Sequence, residues 1–268
     1  MKAWEGTFEI PIPERSGKPR NEGYTMIIDK GLGIERTKDL IRLAGDYIDN
    51  IKYTFGTSAF YDKELLIEKN EIITSSGIDI MPGGTFLEVA VWQGVLEDYL
   101  KRAKVLKFNT IEVSDGTIEM DLKTREDIIK MSLDIGFRVI SEIGKKDPNE
   151  KIPISQMCEQ VVRDIENGAF KVIIEARETG KGIGIYNDNG KIKSDELESI
   201  CKNIDDVNNL IWEAPIKSQM QALILRFGTN VNLGNIPPDE ILALEALRRG
   251  LRGDTFKRAY LENKEWES

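Results

Sequence analysis

Lys171-Val172-Ile173-Ile174-Glu175-Ala176-Arg177 is a short apolar run that ends in charge, and a glycine-rich stretch and a helical segment from near Asp195 follow it. Strand side chains alternate between faces with period two. Val172, Ile174 and Ala176 therefore share one face, and Ile173, Glu175 and Arg177 the other. The apolar face suits a cover of helices, which turns Glu175 and Arg177 toward an interior. The same unit recurs eight times. Its apolar runs are Met26–Ile28, Ile48–Phe55, Ile78–Met81, Ile111–Val113, Val139–Ile143, Val172–Ile174, Leu210–Trp212 and Val231–Leu233. Each ends in charged or small polar residues and leads into a helix. Eight strand–helix repeats predict an α/β protein, a single (β/α)8 TIM barrel, whose chemistry belongs at the C-terminal ends of the strands.

The 268 residues, 40% of them hydrophobic, suffice for one barrel domain over 1–268. Residues 1–23 read as an N-terminal arm or lid and residues 250–268 as a charged tail. Both are expected to make subunit contacts, so a homo-oligomer is expected. A net charge of −9 argues against a nucleic-acid surface. No apolar run approaches the roughly 18 residues of a membrane span, and the first 23 residues lack a signal-peptide core. The expectation is a cytoplasmic protein. Cys158 and Cys201 fall in helical segments and read as buried thiols. Histidine is absent altogether. That removes histidine-ligated zinc and the commonest general base, and leaves Lys, Arg, Asp, Glu, Ser, Thr, Tyr or a hard metal.

Strand parity gathers the charge. It turns Glu112, Glu142, Glu175 and Glu213 inward from four successive strands, with Lys146 on the face of Glu142, Lys52 on strand two and Asn232 on strand eight. Lys30, Lys52, Lys145, Lys146, Arg177 and Lys217 sit at or near the same rim. Carboxylates this close need cations between them. The lysines and Arg177 could serve in a closed ion-pair network. A divalent cation could also serve, and oxygen-only donors favour Mg2+ or Mn2+. Anions could dock after strands seven and eight, at Pro215–Gln219 with Lys217 and at Gly234-Asn235, or at Gly83-Gly84 before a helix expected over Phe86–Leu106. The long loop Thr179–Lys193 reads as a lid.

At these residues the chain resembles the phosphosulfolactate synthase family. The resemblance rests on Asp29-Lys30-Gly31, Gly45–Asp49, Gly56-Thr57-Ser58, Pro82–Thr85, Ile111–Gly116, Ser141–Lys146, Glu175–Glu178, Glu213-Ala214-Pro215, Asn230–Leu233 and Leu247–Arg252. Together these cover about Gly23 to Phe256. Tyr53-Thr54-Phe55 departs from the family's more usual Phe-Gly-Trp. The resemblance implies a (β/α)8 barrel, a carbon–sulfur lyase, Mg2+ dependence, and addition of sulfite to phosphoenolpyruvate giving (2R)-phospho-3-sulfolactate. The family's plant members, described through heat tolerance, imply that a non-catalytic binding homologue is conceivable.

The residues suit that reaction. Sulfite attacks C3, negative charge develops on the carboxylate side, and C2 then takes a proton. Lys146 is expected to be the acid, with Lys145 beside it in the Gly-Lys-Lys motif and a lowered pKa from burial. The metal set is expected among Asp115, Glu142, Glu175 and Glu213. Substrate anions are assigned to Lys30, Lys52, Arg177, Lys217, Asn232, Gly234 and Asn235. A Schiff-base aldolase using Lys52 or Lys146 is the alternative chemistry.

Overall fold

The computed structural model describes residues 2–150 and 152–266. Met1 and residues 267–268, the outermost parts of the expected arm and tail, lie outside the described residues. Eight strands form one parallel sheet: β1 Thr25–Asp29, β2 Asn50–Tyr53, β3 Asp79–Met81, β4 Thr110–Ser114, β5 Arg138–Ile143, β6 Lys171–Ile174, β7 Leu210–Glu213 and β8 Leu233–Ile236. Their order is β3-β2-β1-β8-β7-β6-β5-β4. The ladder stops between β3 and β4, and side chains complete the barrel there. Asn109 Oδ1 accepts from Ile80 N at 2.8 Å, and its Nδ2 donates to Asp79 Oδ1 at 2.8 Å. The expected (β/α)8 barrel is thus the observed one.

The helices are α1 Ile34–Ala44, α2 Lys63–Ser75, α3 Gly84–Trp92, α4 Leu96–Val105, α5 Leu122–Asp134, α6 Ile154–Glu166, α7 Ser194–Asn203, α8 Lys217–Phe227, α9 Ile241–Arg248 and α10 Gly253–Trp266. Parity holds in the packing. Ile27, Ile51, Val113, Val139, Val172, Ile174 and Trp212 meet the helices in one large apolar core. Met26, Met81, Ile140, Ile173 and Ile211 pack inside the barrel with Tyr24 at its N-terminal end. This inner plug leaves the other end of the lumen for polar side chains.

The structure departs from several expectations. The single helix over Phe86–Leu106 is two helices, α3 and α4. The chain breaks at Gly94, whose φ of 68° is a left-handed conformation that closes a helix. Strand eight begins at Leu233, where the expected run Val231–Leu233 ends, so Asn232 precedes it. The arm is no lid. It runs beneath the N-terminal end of the barrel, where Gly23 N donates to Asn230 O and Arg20 pairs with Asp49 at 2.9 Å. The loop 179–193 is folded in place: Tyr186 bridges to Ile192, and Ile183, Ile185 and Tyr186 are buried. The tail helix α10 packs on the same chain, through Lys217–Asp254 at 2.5 Å and Thr255 Oγ1 to Leu247 O at 2.8 Å. Cys158 is buried and Cys201 half-buried; both are free thiols.

The turn from β3 into α3 depends on two glycines. Gly83 has φ of 84°, and a Cβ there would stand 2.5 Å from Tyr53 O. Gly83→Ala is expected to destabilise the fold by about 1–3 kcal/mol, the usual cost of a strained left-handed position. A urea midpoint equal to that of the unsubstituted protein would contradict this.

Candidate active site

A cavity of about 400 Å3 opens at the C-terminal end of the barrel, lined among others by Lys52, Glu112, Glu142, Lys146, Glu175 and Glu213. Each of these comes from a strand or the loop just after it. Lys52 of β2 stands at the centre. Its Nζ lies 2.9 Å from Glu112 Oε2, 2.9 Å from Glu142 Oε2 and 3.4 Å from Glu213 Oε1. Lys146 is the second centre, with Nζ 2.7 Å from Glu142 Oε1, 3.3 Å from Glu175 Oε2 and 3.6 Å from Glu88 Oε1. The chain turns at Gly144, φ 131°, which brings Lys146 back over its own strand.

Two residues here escaped the strand-based reading. Glu88 lies on α3 and is 1% exposed. Its Oε2 accepts from Thr117 N at 2.7 Å and Ile118 N at 2.8 Å, which fixes the loop after β4. Ser114 Oγ touches Glu88 and Glu142 carboxylate oxygens at 3.2 and 3.0 Å. The signal for Glu88 was available: it is the one charge in the apolar run Phe86–Trp92. Tyr186 also went unremarked; its hydroxyl donates to Glu213 O at 2.8 Å and pins the folded loop over β7.

The other expected residues fall into two groups. Arg177 and Asn235 line the cavity, Arg177 with φ 61° and its Nη1 3.3 Å from Lys146 O. Gly234 faces the lumen from below, where a Cβ would meet Met26, Ile211 and Glu213. Lys30 is exposed, its Nζ 5.6 Å from the centroid of Phe55, which lines the cavity. The structure takes the remaining four elsewhere. Asp115 is held by Arg125 at 2.8 Å. Lys145 Nζ donates to Asp115 O and Ile118 O, tying neighbouring loops together. Lys217 is paired with Asp254 on α10. Asn232 lies at the opposite end of the barrel, stitching β8 between Tyr24 N and the carbonyls of Asn208 and Leu210. Parity fixes a face but not a height along the axis, which is why Asn232 was misplaced.

Arg125, 1% exposed on α5, supports the floor of the site. It forks onto Asp164, holds Asp115, and donates to Glu142 O at 3.0 Å. Asp29 does the same for the loop after β1. Its Oδ1 accepts from Gly31 N and Leu32 N, and its Oδ2 takes the buried Lys69 at 2.6 Å.

Five carboxylates thus face two ammonium groups. Burial, and then Glu142, raise Glu112 to about 8. Burial and neighbouring glutamates also raise Glu175 and Glu213, whereas Lys146 and Lys52 outweigh burial at Glu142 and hold it well below its usual range. Burial would lower Lys146, yet Glu142 and Glu175 outweigh it and hold the ammonium above its ordinary value. The expected lowering of Lys146 is therefore corrected: its neighbours are carboxylates, not cations. Among the described residues no group of three or more His, Cys, Asp or Glu side chains is arranged to hold a metal ion. Lys52 and Lys146 already occupy the points on which the carboxylates converge. The donor set is nonetheless oxygen-only and carries surplus negative charge, which is the chemistry a hard divalent cation meets.

Two predictions follow from the charges. Lys52→Met strands three buried carboxylates and should cost about 3–5 kcal/mol in urea denaturation, the cost of breaking a buried pair; a smaller loss would mean that Lys52 is not the hub. The folded protein holds the Glu112 proton more tightly than the unfolded chain does. That contribution is complete below pH 4.5 and lost as pH rises through about 8. Glu112→Gln should therefore flatten the decline of stability between these limits, and an unchanged slope would refute the assignment.

A model of the (2R)-phospho-3-sulfolactate synthase (ComA) family matches residues 13–254. The chain is 42% identical to phosphosulfolactate synthase of Methanothermobacter thermautotrophicus, covering 95% of this chain and 99% of that protein. It is 44% identical to phosphosulfolactate synthase of Methanocaldococcus jannaschii, covering 96% and 99%. Among solved structures, the YdjI aldolase from Escherichia coli K12 superposes with a TM-score of 0.54 over 91% of each chain at 12% identity, a likeness of fold alone.

Proposed function

The chain belongs to the phosphosulfolactate synthase family, and on that premise we propose that its cavity joins sulfite to C3 of phosphoenolpyruvate to give (2R)-phospho-3-sulfolactate. The observation that carries this reading is the position of Lys146, which lines the cavity at the mouth of a buried carboxylate cluster and pairs with Glu142 and Glu175. Sulfite is its own nucleophile, so no side chain need attack or remove a proton. The sulfur lone pair forms the C3–S bond. The former double-bond pair moves onto C2 and the adjacent carboxylate. Lys146 Nζ then delivers its proton to C2 from one face, which fixes the configuration. A raised proton affinity does not impede this step, because a carbanion next to a carboxylate takes a proton far more strongly than an amine.

Arg177 at the rim, Asn235 in the wall and the amides of the first turn of α3 at Thr85 and Phe86 are available for the phosphate. Lys30 adds positive charge outside. The acidic wall would repel a trianionic substrate unaided. The surplus of oxygen-only carboxylates suits Mg2+, which Glu142, Glu175 and Glu213 would hold. When bound it would act as a Lewis acid on the developing carboxylate charge. Schiff-base chemistry needs a neutral amine, and carboxylates hold both Lys52 and Lys146 above their ordinary values.

The test is an assay of product from phosphoenolpyruvate and sulfite. Chelation should abolish turnover and Mg2+ restore it. Lys146→Ala should lose about 10²–10⁴-fold in kcat, the range for a positioned general acid, while keeping a wild-type circular dichroism spectrum. Full turnover by that variant would overturn the assignment of the proton donor, and no product with saturating Mg2+ would overturn the reaction itself.

A further inference from the structure

The arm and the tail helix pack on their own chain, and an exposed apolar surface lies elsewhere, on the two helices that carry the chain from β3 to β4. A shallow groove of about 700 Å3 runs along them, with Val89, Val95, Asp98, Tyr99, Arg102 and Val105 in its lining. Val95, which caps α4, is 43% exposed and Val105, its last residue, 53%. Trp92, at the end of α3, is 75% exposed. At about 100° per residue, Val95, Asp98, Arg102 and Val105 fall within about 80° of one another around the helix axis. They form one stripe, apolar at both ends and charged in the middle.

The stripe is symmetric about Leu100. Val95 and Val105 stand five residues to either side of it, and Asp98 and Arg102 two. Turned about a two-fold axis at the height of Leu100, the stripe meets its own image antiparallel. Val95 then faces Val105 of the other copy and Asp98 faces Arg102, each contact occurring twice. The charges are available for this. Glu97 and Lys101, on the flank of the stripe, pair with each other at 2.6 Å. Asp98 and Arg102 have the same spacing and are both exposed, yet neither makes an ion pair or a side-chain hydrogen bond among the described residues. In an antiparallel pair the acidic first turn of α4 also meets the basic last turn of the other copy. A different partner gives a helix face no reason to match its own reversal, whereas a second copy about a two-fold axis requires it. The local charge match also offsets the general repulsion between two chains of net charge −9.

We propose that α4 packs antiparallel against α4 of a second copy of this chain, about a two-fold axis level with Leu100, with the Val95–Val105 and Asp98–Arg102 contacts repeated by symmetry. Val89 of α3 lines the groove beside them. Phe86 lines both this groove and the catalytic cavity, and its ring stands edge-on to Tyr99 with centroids 5.3 Å apart, so the interface abuts the wall of the active site. The contact does not depend on the reaction assigned to that cavity.

Analytical ultracentrifugation of the full-length protein tests it, over a dilution series up to roughly 100 μM, which spans the affinity of a small surface contact. A mass of two chains is expected at the upper end. Arg102→Asp sets like charges opposite each other twice and should weaken association about tenfold. Asp98→Arg alone should do the same. The double variant Asp98→Arg/Arg102→Asp puts opposite charges back across the axis and should recover the dimer, which a contact with any other surface of the chain would not do. Both positions are exposed, so each variant is expected to keep a wild-type circular dichroism spectrum. A single-chain mass throughout would overturn the proposal and leave the face to a different protein. A three-chain mass, an assembly that Arg102→Asp does not weaken, or a double variant that stays dissociated would overturn it as well.

Discussion

The ammonium group of Lys52 is the point on which the site depends. Glutamates from β4, β5 and β7 meet it in the lumen, so one charge ties strands from opposite sides of the barrel. Apolar residues could have filled that volume with less desolvation cost. What they could not supply is a wall of carboxylates whose charge two lysines offset only in part. Lys146 extends the same network outward and is the member that a ligand entering the cavity would meet first. Structure and chemistry therefore share one set of ion pairs.

The rest of the architecture keeps that network in place. The plug of Met26, Met81, Ile140, Ile173 and Ile211 closes the lumen beneath it. Arg125 and Lys69 reach in from the outer helices to fix the loops after β4, β5 and β1. Tyr186 and Glu88 do the same for β7 and the loop after β4, from segments that carry no strand. The active end is thus braced from behind by side chains that never line the cavity.

The barrel was legible because its signal repeats: eight apolar runs with polar ends leave little else for the chain to be. Parity was nearly as informative, since period-two alternation assigns each residue to a face whatever the details of packing. It brought Glu112, Glu142, Glu175, Glu213 and Lys52 to one lumen correctly. Depth was not legible. Asn232 has the right face and the wrong end of the strand, and Lys217 has the right loop but a partner on α10. Asp115 looked like a ligand because nothing local in the sequence announces that Arg125 will claim it. Such pairings are long-range contacts, and a local pattern carries no record of them.

The break between β3 and β4 adds one more consequence. Every other stave is joined to its neighbours by backbone ladders, but here the fastening is Asn109 with Asp79, and Gly84 N on Glu112 Oε1 at 2.9 Å. Side-chain clasps are fewer and easier to part than a ladder. The barrel therefore has a built-in slit, and one of its buttons, Glu112, is a member of the buried carboxylate cluster. Glu112 thus belongs both to the charge cluster of the lumen and to the seam that closes the cylinder.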